Sequence, residues 1–160
     1  MNDFLIRPVK PEDAEAVIAI AKEAWTPIFD GYRDQLGDGL FELFFPDAVN
    51  RKGEAVRHNV ESGTCYVTEL RGRIVGFIYY TYSPTEQIGN IGHNAVLKEM
   101  RGHGIAGRQY AAVFETLKKL GARGVRVQTG LDDAHAPARS AYEKAGFQRS
   151  IKSVTYYKEL

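Results

Sequence analysis

The chain has 160 residues, with 21 Lys plus Arg against 20 Asp plus Glu and a formal net charge of +1. That length suits one domain with its own core, and a charge this balanced supplies no bulk attraction for nucleic acid or an anionic membrane surface. The apolar share is 44% and the charged share 26%, which excludes disorder across the chain, while glycine is in surplus at 16 of 160 residues against a usual level of about 7%.

In chain order, residues 4–9 read as a short strand stopped by Pro8 and Pro11. Pro11 with Glu12 and Asp13 then starts a helix, with proline in the first turn and acids complementing the dipole. Ala14, Val17, Ile18 and Ala21 carry it at helical spacing to about Trp25. Residues 26–62 hold further helical pattern, expected as short helices broken at Gly31, Gly37, Gly39 and Pro46 and carrying many aromatics. From Thr64 the period changes to that of strands: 64–70, a turn at Arg71-Gly72, and 73–82 form a hairpin signal rich in β-branched and aromatic residues. Cys65, the only cysteine, leaves no internal disulfide and no thiolate zinc cluster, and reads as a small buried hydrophobe.

A third strand of the meander follows at 87–97, a helix at 105–120 ended by Gly121, a strand at 124–129, a short helix at 137–145 ended by Gly146, and a last strand at 147–158. The order implies one domain over residues 1–160, an α/β fold with a mixed sheet in which the strand, helix, strand unit from 87 to 129 makes a parallel pair. The longest uncharged stretch, Ile74 to Thr85, contains Ser83 and Pro84 and falls short of the roughly 18 apolar residues a bilayer span needs. The opening segment around Asp3 and Arg7 does not resemble an export signal, so a cytoplasmic location is expected, without membrane or nucleic-acid partners.

Residues 101–107 read Arg-Gly-His-Gly-Ile-Ala-Gly between a strand and a helix. Glycines there let backbone N–H groups and the helix N-terminus approach an anion, so a phosphate-bearing ligand is expected. Gly102, Gly104 and Gly107 formally match G-x-G-x-x-G, with Asp132 and Asp133 beyond the next strand, which is the nicotinamide-nucleotide reading. Its context is poor, because Lys98 to Arg101 separate strand from glycine and the loop follows a β-meander. No Gly-Lys-Ser/Thr occurs, so a P-loop is excluded.

The same loop fits R/Q-x-x-G-x-G/A as Arg101, Gly104 and Ala106. With Ile6-Arg7-Pro8, Glu12-Asp13-Ala14, the aromatic hairpin, Ile91-Gly-His-Asn-Ala-Val96 and Tyr142-Glu-Lys-Ala-Gly-Phe147, the chain resembles the GNAT superfamily of N-acetyltransferases over nearly its whole length. Each motif is weak alone, and their order and spacing carry the resemblance. It implies a mixed, mostly antiparallel sheet with helices on both faces, whose parallel pair, strands four and five, splays to admit CoA. It implies transfer of an acetyl group from acetyl-CoA, as donor cosubstrate and without a metal, to a primary amine of a small molecule or peptide by direct attack in a ternary complex.

Under that resemblance the pyrophosphate is held by Gly102, His103, Gly104, Ile105, Ala106 and Gly107, with Arg101 and Arg108 adding charge. The pantetheine arm runs along Ala95, Val96 and Leu97, and a backbone N–H near Val96 stabilises the oxyanion. Tyr142, on a helix face with Ala138, Ala141 and Ala145, takes the general-acid position. Asn90 stands where the family often has glutamate and cannot act as a base, leaving His93 and Glu86, directly or through water. His135 stands where the family often has asparagine and, with Arg139, is assigned to CoA. Trp25, Phe29, Tyr32 and Tyr80 are the candidates for the acceptor pocket. A non-catalytic CoA-binding module remains the alternative because of Asn90, and a homodimer is compatible with the sequence.

Overall fold

A computed structural model describes residues 4–160; Met1, Asn2 and Asp3 lie outside the described residues. Five strands form one sheet in the order β1-β2-β3-β4-β5: β1 Phe4–Pro8, β2 Cys65–Leu70, β3 Arg73–Ser83, β4 Ile88–Val96 and β5 Gly124–Val127. The first four are antiparallel neighbours, and β4 and β5 are parallel, as the strand, helix, strand pattern requires. Helices α1 Ala14–Phe44, α2 Ala48–Glu61, α3 Ile105–Lys119 and α4 Ala136–Lys144 complete the fold.

Strand alternation distributes the core to both faces of the sheet. Cys65, Val67, Val75 and Phe77 pack with Val17, Ile20 and Ala21 of α1 and Val56 and Val60 of α2. Ile78, Tyr80 and Ile91 face the other way, onto Tyr110, Val113 and Leu117 of α3 and Tyr142 of α4. Burial pushes the Cys65 thiol up to about 12, which leaves it an inert core residue. No helix among the described residues is long and apolar enough to cross a membrane.

Two expectations for the helices and strands need correction. Helix α1 does not end near Trp25 but runs to Phe44, through Pro27 and Gly31; the one departure from helical backbone is Gly37, at φ 75° and ψ 161°. A helical glycine costs only about 1 kcal/mol, less than the packing of Ile28 and Phe41 returns. The last strand, 147–158, does not form: among the described residues the segment has no ladder partner, and Ile151, Val154 and Tyr156 are exposed. Alternating residues make a strand only against another strand, and this segment packs instead through Phe147 on Phe114 and Tyr142 and through Tyr157 on Phe44 and Phe45, with Ser153 and Thr155 at the cleft.

Candidate active site

A large cleft, about 1260 Å³, lies between the end of the β4–β5 pair, α1, the glycine loop and α4. Its opening follows from the ladder. β4 and β5 pair from Ile88 with Gly124 to Ile91 with Val127, and there β5 ends. Residues Gly92 to Val96 continue β4 and pair with β3 on one side, so their other edge presents backbone N–H and C=O groups to the cleft, with Gln128, Thr129 and Gly130 across the gap.

The glycine loop closes one part of this cleft. Gly102 and Gly104 hold φ of 84° and 75°, a region that costs an L-residue with a Cβ roughly 1–2 kcal/mol. A Cβ at Gly102, Gly104 or Gly107 would meet no protein atom within 4 Å, so at the first two the backbone conformation, not internal packing, demands glycine. Positive-φ glycines on either side of His103 turn successive N–H groups into one concavity, and Gly104 caps the 15-residue α3, whose dipole adds to it. Arg101 is exposed beside the loop, its Nε donating to the Val96 carbonyl at 3.4 Å. This cradle fits an anion of pyrophosphate type.

Tyr142 is 8% exposed and turned into the cleft by the short α4. Asn94 of β4 donates from Nδ2 to its hydroxyl at 3.3 Å, and accepts from the Tyr110 hydroxyl on Oδ1 at 3.1 Å. Burial raises Tyr142 above the usual phenol value, while the bond from Asn94 works against it. The group is thus a neutral phenol whose oxygen already accepts from Asn94, leaving its proton to donate.

On the opposite face of β4, His93 sits among α1 and α2. Its Nε2 is 3.1 Å from Lys52 Nζ, its Nδ1 is 2.6 Å from the Asn59 amide, and Trp25 meets its ring edge-on at 5.5 Å. Both ring nitrogens of His93 are thus engaged, Nε2 by the Lys52 ammonium and Nδ1 by the Asn59 amide nitrogen. Burial first, and the Lys52 charge second, push His93 down to about 4. Lys52 is itself lowered by burial and lies 4.9 Å from the Trp25 ring centre.

The β5–α4 loop supplies the remaining wall. Asp132 caps the turn by accepting from the His135 N–H, and its Oδ2 lies 2.7 Å from His135 Nδ1. Although burial opposes it, the His135 bond and charge hold Asp132 below the usual carboxylate value. Tyr32 stacks on His135 at 6.4 Å. Arg139 donates to the carbonyls of Gly130 and Asp132, both at 2.8 Å, so it shapes the loop.

Of the residues singled out from sequence, the cleft gathers Tyr142, His93, Ala95, Val96 and His135. It also takes Trp25 and Tyr32, and Arg101, Gly102 and Gly104 to Gly107 of the loop. Others stand elsewhere. Glu86 is exposed in the β3–β4 turn, and Leu97 is buried in the core, 8% exposed. His103 is exposed and bonded to the carbonyls of Met100 and Arg101, and Arg108 lies over the Phe4 ring. Phe29 packs on Tyr32 and Phe45, and Tyr80 is buried against Tyr66. For Leu97, Phe29 and Tyr80 an internal contact outcompetes the cleft.

Sequence reasoning missed Asn94, Lys52, Asn59 and Arg126. Asn94 was findable, since alternation along β4 places it opposite His93 and so on the Tyr142 face. Lys52 and Asn59 share one helix face at seven-residue spacing, but nothing in the sequence ties that face to β4. Arg126 donates to Asn90 across the β4–β5 pair, which occupies the position that often holds an acid. Among the described residues no group of three or more His, Cys, Asp or Glu is placed to hold a metal. With one parallel pair in an otherwise antiparallel sheet, the nicotinamide-nucleotide fold is not the one present.

The family model for the acetyltransferase (GNAT) family matches residues 20–147. An N-alpha-acetyltransferase 30 from Schizosaccharomyces pombe is 36% identical over 69 residues, 43% of this chain and 45% of that protein; the chain thus aligns with less than half of that relative's length. Among solved structures, the PaiA N-acetyltransferase from Thermoplasma acidophilum in complex with coenzyme A superposes with a TM-score of 0.74 at 18% identity, over 94% of this chain and 92% of that one. AAC(6')-Iy in complex with a bisubstrate analogue gives 0.66 at 16% identity, over 98% and 99%. These likenesses agree on the fold, and the match over residues 20–147 carries its conclusion: the chain belongs to the GNAT acetyltransferase family.

Proposed function

We propose that the chain is an N-acetyltransferase that moves the acetyl group of acetyl-CoA to a primary amine of a small molecule or peptide, by direct attack with both substrates bound. The observation that supports this best is the unpaired β4 edge from Gly92 to Val96, which joins an anion cradle at Gly102 to Gly107 to the Tyr142 hydroxyl within one cleft. Acetyl-CoA, when bound, supplies the acetyl group as a thioester. In this reading the loop N–H groups and Arg101 hold the pyrophosphate, and the free edge near Ala95 and Val96 holds the pantetheine arm. An amine brought beside the thioester gains most of its rate from proximity, and a β4 N–H near Val96 steadies the oxyanion.

Bond balance assigns the protons. The amine nitrogen bonds to the acetyl carbon as the carbon–sulfur bond breaks, Tyr142 gives its proton to the departing sulfur, and the proton lost by the amine leaves through cleft water. His93, at about 4, is too weak a base to store that proton at neutral pH; with its two ring nitrogens engaged by Lys52 and Asn59, it serves to position Lys52 at the cleft. Glu86 has no part in this reading.

A homodimer is supported by one feature: β5 is an edge strand of four residues, and the strand-competent segment 147–158 lacks a partner. Sedimentation of the chain at micromolar concentration is expected to give a dimer that truncation at Gly146 abolishes, and a monomer removes it.

Thermal shift and thiol release test the main reading together. Acetyl-CoA at 100 times its Kd should stabilise the fold by about 2.7 kcal/mol, NADH should not, and thiol should appear with at least one amine. Stabilisation without thiol release from any amine would leave a CoA-binding module instead.

A further inference from the structure

The chain is electrically balanced, yet its cleft is not. Among the described residues lining it there is no Asp or Glu, while Lys52, Arg101, Arg126 and Lys144 all reach it. Arg101 belongs to the glycine loop, and Arg126 is taken by Asn90. Lys52 is different. It comes from α2, in the group formed by His93, Trp25 and Asn59. Among the described residues no carboxylate approaches its ammonium, whose neighbours are a neutral imidazole at 3.1 Å and an indole face at 4.9 Å. Burial is the only influence on its titration, with no acid to offset it. The one carboxylate on the adjoining loop that faces inward, Asp132, is engaged by His135.

A half-buried ammonium without a counter-ion is an unfavourable arrangement by itself, and it becomes favourable when a ligand brings the anion. A polycationic acceptor meets the reverse: several ammonium groups, a cationic wall and no carboxylate to receive them.

We infer that the acceptor is a primary amine that also carries a carboxylate, with Lys52 as the group that binds the carboxylate and so sets specificity. This rests on the acetyl-transfer reading above. The recognition is a salt bridge from the Lys52 ammonium, with Trp25 walling the acceptor's carbon chain and the amine left beside His93. Two sources share this chemistry, a free amino acid and the acidic first residues of a peptide. Neutralising Lys52 also relieves the smaller of the two influences that hold His93 low, so the acceptor makes its own neighbour more basic.

The test uses the full chain with acetyl-CoA and thiol detection. The acceptors are free amino acids, peptides beginning with Asp or Glu, the carboxamide twin of each, spermidine and an aminoglycoside. Carboxylate acceptors should exceed their carboxamide twins at least tenfold in kcat/KM. Lys52→Gln should reduce that ratio to near one while acetyl-CoA still stabilises the protein, and Lys52→Arg should retain it. Turnover of free amino acids alone, or of acidic peptides alone, identifies the source. Equal use of the carboxamide twins, or a preference for spermidine or the aminoglycoside, overturns the inference and leaves acetyl transfer standing. Absence of thiol release with every acceptor overturns both.

Discussion

Asn94 holds Tyr142 and Tyr110 together: its amide nitrogen donates to the Tyr142 hydroxyl at 3.3 Å while its carbonyl oxygen accepts from Tyr110 at 3.1 Å. One side chain on β4 thereby fixes a phenol on α4 and another on α3, beside the point at which the β4–β5 ladder opens. The arrangement leaves Tyr142 neutral, oriented and able to donate.

Tyr142→Phe should therefore lower kcat by roughly 10²–10³-fold with the KM for acetyl-CoA nearly unchanged, since the ring and its packing remain. Asn94→Ala should lower kcat less, about tenfold, and shift the alkaline limb of the pH–rate profile, because it removes a bond that favours the phenolate. Steady-state kinetics across pH 6–10 separate the two. An unchanged kcat in Tyr142→Phe removes the acid role.

Gly104→Val should weaken acetyl-CoA binding by more than tenfold. A β-branched residue at φ 75° is strained by about 1–2 kcal/mol, and its side chain enters the open space in front of the loop. The stabilisation produced by acetyl-CoA should fall by half or more, while the ligand-free protein loses only that modest strain energy.

Arg7, Asp13 and Glu69 tie the first strand to the first helix and to β2. Arg7 donates to both Asp13 oxygens at 2.7 and 2.9 Å and to Glu69 at 2.9 Å. The Arg7 hydrogen bond holds Asp13 below the usual carboxylate value despite burial. A depressed carboxylate stabilises above its unfolded pKa, about 3.9, and that contribution is lost as pH falls through the folded value below it. Asp13→Asn should cost roughly 1.5–3 kcal/mol in denaturant unfolding at pH 7 and flatten the acid limb of the stability profile.

His93 gives stability a second pH dependence. Its folded value of about 4 lies below the unfolded value of about 6.5. The unfolded chain thus binds the extra proton first, and stability falls as pH drops from about 6.5 toward 4. The loss is on the order of 1–2 kcal/mol, allowing for partial exposure of the ring. Urea unfolding at pH 7 and pH 4.5 measures it, and His93→Gln should remove most of that difference.

Periodicity located the hairpin, β4, α3 and α4 to within two residues, because each pattern there is local and closed by glycine or proline. Helix α1 was misjudged, since burial of Ile28 and Phe41 offsets the cost of Pro27 and Gly31 inside the helix. The segment 147–158 was misjudged for the opposite reason: it has strand residues and no strand beside it.

At the site the division is similar. The spacing Arg101, Gly104, Ala106 and the run from Tyr142 to Phe147 led from sequence alone to the loop and the tyrosine for which anion binding and the acid role are proposed, because the loop's backbone conformation and the helix end are written in neighbouring residues. Lys52 and Asn59 against His93, Asn94 between two tyrosines, and the absence of any carboxylate from the cleft lining among the described residues were decided only by tertiary structure. Those contacts join positions 16 to 48 residues apart, and charge in a cleft depends on which side chains the fold turns inward. A net charge of +1, averaged over the whole surface, carries no record of that choice.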